Sequence, residues 1–275
     1  MALSVYYSDR IEDLATDLKE RLLAERGKAD ADPFVFSQVV VPNTNIAKWL
    51  QIRVFAEERN PEDRKLCAGI KFPFVEQRMT ELLSANLPEK TPFSLLPDHA
   101  YANAIMAALL SPRKGQKEFD ALAPLRAYIS GGDGKGELKV TTQCQARMGW
   151  QLAEKMANLM DQYEVRRPEI VEKWLAEEGD GAAGVRALPE AMNEVEAAEA
   201  ALARMLWGMD GVFPLGGEKL SLRQLYDRVK STPPKGPRQT IWFFGHSTLS
   251  LLQVQILVWL AQTHDVVFYH NNVCL

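Results

Sequence analysis

The chain has 275 residues, 47% of them hydrophobic and six of them tryptophan, which is enough to bury one large core or two ordinary ones. A net charge of -4 and a pI near 5.7 neither advertise a nucleic-acid partner nor exclude a local basic channel. No run approaches the roughly 20 apolar residues of a membrane span, and MALSVYYSDRIEDL carries charge where a signal peptide needs its apolar stretch. A cytoplasmic globular protein with no membrane partner is expected.

The elements alternate at first. Ser4 to Ser8 reads as a short strand, and Ile11 to Arg26 as a helix with Leu14, Leu18 and Leu22 four residues apart. Phe34 to Val41 reads as a second strand and Thr44 to Glu58 as a second helix. This βαβα order predicts a parallel sheet. The stretch QVVVPNTNIAKWLQ, Gln38 to Gln51, has the outline of a nucleotide-binding strand-turn-helix. It lacks the G-x-x-x-x-G-K-[ST] residues that close amides around phosphate and bind magnesium.

From Phe74 to about Trp207 the pattern turns helical, over Val75 to Leu83, Asp98 to Leu110, Phe119 to Ile129, Gln143 to Tyr163, Pro168 to Glu177 and Leu188 to Trp207. Gly131 to Gly136 and Gly179 to Gly184 read as loops, and TPPKGP, Thr232 to Pro237, as a stiff connector. The sheet pattern then returns with a strand at Thr240 to Phe244, a helix at Ser250 to Thr263 and a strand at Asp265 to His270. A parallel strand is normally followed by a crossover, so an N-terminal piece of a longer protein is expected. The domain reading is residues 1–88 with 218–275 as an α/β domain, and residues 89–217 as a helical insertion.

Catalytic chemistry is not readable. His99, His246, His264 and His270 show no ligand spacing; His246 and His270 alone fall where strand ends bring them near each other. Cys67, Cys144 and Cys274 are odd in number and far apart, which argues for reduced thiols rather than a disulfide framework or zinc site. Glu12-Asp13, Glu57-Glu58 and Glu177-Glu178 are adjacent pairs that face different ways on a helix. GHSTLS, Gly245 to Ser250, lacks the second glycine of a hydrolase elbow and reads as a strand-to-helix turn capped by Ser247 or Thr248. No catalytic residue, metal or bound cofactor is assigned.

VYYSDRIEDLA, VVVPNTNIAKWLQ, IKFPF, MDQYEVRRPEIVEKW, IWFFGHSTLSLLQVQIL and VVFYHNNVC follow the order and approximate spacing of one family. The chain resembles RecC, the gamma subunits of exodeoxyribonuclease V, from Ser4 to Cys274, with DQY-x-x-x-RP followed by tryptophan as the most specific match. The resemblance implies a P-loop NTPase-like α/β fold of the superfamily 1 helicase type, without its ATP site and interrupted by an all-helical subdomain. It implies a heterotrimer with RecB-like and RecD-like subunits, on which ATP and Mg are expected. It also implies duplex splitting, single-strand threading and Chi scanning in double-strand break repair.

Thr44, Lys48, Phe74, Arg147 and Arg204 match family channel residues, and Lys71 adds a cation beside aromatics on a loop. These six are the candidate contacts to single-stranded and forked DNA. Lys48 also reads as a solvated helix lysine, and Phe72 as core packing. Tyr128 to Thr142 is glycine-rich where the family carries an acidic stretch. Asp161, Gln162 and Tyr163 read as structural, with Tyr163 packing while Asp161 and Arg166 or Arg167 tie the turn. Two other functions stand beside the DNA-binding scaffold. An active helicase or nuclease would need a P-loop or a carboxylate cluster, and an adaptor that docks motor subunits would show an exposed apolar patch and no basic groove.

Overall fold

The computed structural model of the chain describes residues 2–27, 35–52, 69–88, 92–97, 99–110, 120–132, 134, 138, 140–176 and 190–271. The chain divides into two compact units, Met1–Pro88 with Leu225–Leu275 and Glu89–Gln224.

The first unit opens with β1 (Ala2–Ser8), α1 (Ile11–Arg26), β2 (Ser37–Val40), α2 (Thr44–Trp49), β3 (Ile70–Lys71) and α3 (Val75–Ser84). The helical unit contributes β4 (Ser94–Leu95), α4 (Ala100–Leu110), α5 (Ala123–Ser130), α6 (Gln143–Arg166), α7 (Pro168–Ala176), α8 (Glu190–Trp207) and β5 (Lys219–Leu220). A helix α9 (Leu222–Val229) follows, and the first unit ends with β6 (Thr240–Phe244), α10 (Leu251–Leu260) and β7 (Asp265–Asn271). All pairings in the five-stranded sheet are parallel, in the order β1-β7-β6-β2-β3.

Register decides which side chains meet. Trp242 pairs with Val267 and Phe244 with Tyr269, so these four share one face. On that face the buried leucines of α1, Leu14, Leu18 and Leu22, join Val39 and Val41 in one core. The spacing of four in α1 is what brings the leucines onto one stripe. Tyr269 Oη donates to Asp17 Oδ2 at 2.7 Å, and Arg21 Nε bonds the same oxygen at 2.7 Å while lying over the Tyr6 ring. On the opposite face, Ile241, Phe243 and Val266 are buried, and α10 packs on β7.

The helical unit buries small residues where helices approach closely. Gly149, Ala153, Ala157 and Met160 form the inward stripe of α6 and pack with Ile105, Leu109, Trp174, Leu202 and Trp207. β4 and β5 form a separate parallel pair.

The expected α/β class with a parallel sheet and many helices is present. Element ends differ for local reasons. The expected strand from Phe34 begins at Ser37, with Phe34 outside the described residues. The helix from Thr44 is regular only to Trp49 and widens through Leu50 to Ile52, and the remainder to Glu58 is outside the described residues. The loops expected at Gly179 to Gly184 also lie outside them. Lys71 stands on a strand, not on a loop. The two-residue strands β3, β4 and β5 carry no readable period, whereas α9 did offer a signal: Leu222, Leu225 and Val229 share a helical face behind the cap residue Ser221.

Candidate nucleic-acid interface

The turn after β2 carries the first group of candidates. β2 ends in a bridge between Val41 and Phe74, with Val41 N donating to Pro73 O at 3.1 Å. Asn43 caps α2 from an extended backbone, and its Oδ1 accepts from Asn45 N at 3.0 Å and Ile46 N at 3.1 Å. In a phosphate-binding loop such head-of-helix amides face the anion. Here the carboxamide of Asn43 occupies them. Thr44 and Lys48 are exposed, while Ala47 and Leu50 face the core and Trp49 stacks on Phe244 with centroids 6.3 Å apart.

Phe74 stands at the N-cap position of α3 and is 46% exposed. The Val41–Phe74 bridge brings it to the same carboxyl edge of the sheet as the turn that carries Thr44 and Lys48. Lys71 pairs with Gln38, three residues back, about 10 Å along the strand. Its Nζ lies 4.5 Å from the centroid of Phe36, before the start of β2. The structure thus groups Thr44, Lys48 and Phe74 and leaves Lys71 apart from them.

The histidines at this edge serve the backbone. Gly245, at φ 75, donates its N–H to Tyr269 O at 3.2 Å and turns the chain after β6. His246 is buried, with Nε2 3.3 Å from Val40 O, and His270 Nδ1 is 3.1 Å from His246 O. Carbonyls only accept, so both contacting nitrogens carry hydrogen. Burial lowers the pKa of His246, only partly offset by its bond to Val40. The turn is capped by Ser250, not by Ser247 or Thr248: Ser250 Oγ accepts from Gln253 N at 3.2 Å and Gln253 Oε1 accepts from Ser250 N at 2.9 Å. Among the described residues no group of three or more His, Cys, Asp or Glu side chains is placed to hold a metal ion.

In the helical unit Arg147 is exposed on the first turns of α6. Arg204 is partly buried, and its Nη1 donates to Trp174 O at 3.3 Å, bonding α8 to α7. Tyr163 meets Trp174 edge-on with centroids 5.0 Å apart and donates to Glu199 Oε2 at 3.0 Å. Burial, followed by the Glu199 charge, pushes the Tyr163 phenol up to about 12. The packing expected of Tyr163 is present. The tie expected of Asp161 is not: Asp161 is exposed and forms no ion pair with Arg166 or Arg167 among the described residues.

The residue that sequence reasoning passed over is Glu164. It continues the inward stripe Gly149, Ala153, Ala157 and Met160, and an acid at an apolar-periodic position was the available signal. Its Oε1 accepts from Ser221 Oγ at 2.7 Å and Arg223 Nε at 3.0 Å, and its Oε2 accepts from Tyr101 Oη. Among the described residues no helix is long and apolar enough to cross a membrane.

Comparison with known proteins places this arrangement. The model of the RecC N-terminal domain family matches residues 3–275. The RecBCD enzyme subunit RecC of Escherichia coli is 27% identical over 278 residues, which cover 99% of this chain and 22% of that protein. The RecBCD enzyme subunit RecC of Haemophilus influenzae is 29% identical over 173 residues, 62% of this chain and 13% of that protein. This chain therefore spans less than a quarter of the length of either relative. The family match runs through both compact units without a break, and the chain belongs to the family of RecC N-terminal domains.

Proposed function

We propose that this chain is the non-catalytic, DNA-handling N-terminal part of a RecBCD-type helicase-nuclease. It acts in double-strand break repair by homologous recombination, through duplex splitting, single-strand threading and Chi scanning. In this reading the first unit is a superfamily 1 helicase domain in origin, with a helical subdomain inserted, and it does not bind ATP. RecB-like and RecD-like partners supply the motors and the nuclease, and the complex works in the cytoplasm. The observation that carries this reading is the head of α2, where Asn43 engages the amides of Asn45 and Ile46 while Thr44, Lys48 and Phe74 lie exposed along the same sheet edge. A site built for phosphate chelation leaves such amides open; a site built to pass a strand needs an exposed cation and a flat apolar surface.

Lys48 contributes charge for a phosphate, Phe74 a face for a base, and Thr44 a hydroxyl. Arg147 supplies charge in the helical unit. Lys71 and Arg204 are the weaker members, because Lys71 lies over Phe36 and Arg204 bonds the Trp174 carbonyl.

Anisotropy titrations with single-stranded and forked DNA at several salt concentrations test this. Wild-type affinity should fall with salt, and a Lys48→Ala/Arg147→Ala variant should bind more weakly with a shallower salt slope. Salt-dependent binding that this variant leaves unchanged refutes the assignment of these residues.

A second reading is favoured by two sets of exposed apolar side chains in the first unit. Leu3, Val5 and Tyr7 of the edge strand β1 are 47%, 53% and 64% exposed on one sheet face, and Leu251, Val254 and Val258 expose a stripe along α10. Absence of DNA binding at low salt moves the weight to a protein-docking adaptor, with those six side chains as its candidate contacts.

A further inference from the structure

The buried carboxylate of Glu164 has no place in a DNA-contact reading, yet it accepts three hydrogen bonds inside the helical unit. Glu164 is 2% exposed and Arg223 is 5% exposed, so their ion pair lies away from water. Three donors converge on the carboxylate, from Tyr101 on α4, Ser221 after β5 and Arg223 on α9. Trp207 Nε1, at the end of α8, donates to Tyr101 Oη at 3.1 Å, and the Arg223 guanidinium lies over the Trp207 ring at 5.5 Å. All facing partners donate, and an ionised carboxylate is the form that accepts from all of them. Burial raises its pKa, while the charge of Arg223 and the three donors pull it back.

Ser221 is the hinge of the arrangement. Its Oγ donates to Glu164 and at the same time accepts from Gln224 N at 3.2 Å, while Gln224 Oε1 accepts from Ser221 N at 3.0 Å. This is a reciprocal cap at the head of α9, and the bond to Glu164 fixes the direction of the hydroxyl hydrogen so that a lone pair faces the amide. Gln224 Nε2 in turn donates to Phe213 O at 2.6 Å, so the cap also holds the loop before β5. The same loop exposes Met209, Val212 and Leu215. Little apolar packing therefore restrains those positions.

From this geometry we infer that Glu164 is a latch: it holds the return segment, residues 213–224, closed on the helical unit by ordering the Ser221 cap, and its loss opens that segment locally while the rest of the unit stays folded.

Hydrogen exchange with mass spectrometry on the 275-residue chain tests the latch. Glu164→Gln should speed exchange of the amides of residues 213–224 at least tenfold, with exchange in α4 and the middle of α6 unchanged. Ser221→Ala, which removes one donor and the cap without leaving a buried charge unpaired, should give the same local pattern at several-fold. If Glu164→Gln does not fold, Ser221→Ala alone decides. Unchanged exchange in residues 213–224, or an equal rise throughout the helical unit, overturns the inference.

Discussion

Replacing Asn43 tests whether one side chain closes the turn after β2. Asn43→Ala leaves the amides of Asn45 and Ile46 without their acceptor and costs about 1 kcal/mol, the usual loss for an N-cap. With a urea dependence of about 2 kcal/mol per molar for a domain of this size, the unfolding midpoint of the first unit should fall by roughly 0.5 M. Asn43→Gly should cost only a few tenths of a kcal/mol, because a bare backbone lets water reach the amides. Asn43→Asp should keep the cap and gain slightly from its charge at the helix N-terminus. In the proposed strand path that same charge should weaken DNA binding, which separates stability from function at one position. The assays are urea unfolding followed by tryptophan fluorescence, for which Trp49 and Trp242 are reporters in this unit, and exchange of the Asn45 and Ile46 amides. An Asn43→Ala midpoint unmoved together with unchanged exchange at both amides would refute the reasoning.

Leu18→Ala should destabilise the first unit by about 2–5 kcal/mol in urea unfolding, because Leu18 is fully buried between α1 and the sheet. Gly134→Ala should be worse than Gly245→Ala. Both glycines have positive φ, but an added Cβ would fall 2.0 Å from Ala123 O at Gly134 and only 3.4 Å from Ile46 at Gly245. The second variant should cost about 1–2 kcal/mol from the backbone alone, and paired thermal melts check the order. His246 has a pKa depressed by burial, so the unfolded chain takes up its proton first as pH falls below 6.5. Stability should therefore be intact above 6.5 and decline below it, and His246→Asn should flatten that slope in melts recorded at successive pH values. His264, lowered by burial and by Arg78, acts in the same direction, so part of the slope should remain in the variant.

Much of the fold was legible because its periods are local. Leu14, Leu18 and Leu22 announce a helix wherever they stand, and Thr240 to Phe244 could scarcely be anything but a buried strand. The strand-turn-helix at Gln38 to Gln51 was equally local, since a strand, a turn and a helix head lie within the 14 residues of QVVVPNTNIAKWLQ. The tertiary structure decided what depends on partners far along the chain. It seats β7 between β1 and β6, which makes β1 an edge and leaves Leu3, Val5 and Tyr7 exposed. It sets Lys71 back over Phe36, because the pairing of β3 with β2 is a matter of register that two residues cannot announce. It also gives Glu164 its donors from Tyr101, Ser221 and Arg223, each more than fifty residues away. Helical and strand periods are properties of neighbouring residues and can be read in order; hydrogen-bond partners at such separations exist only once the sheet and the helical unit have closed.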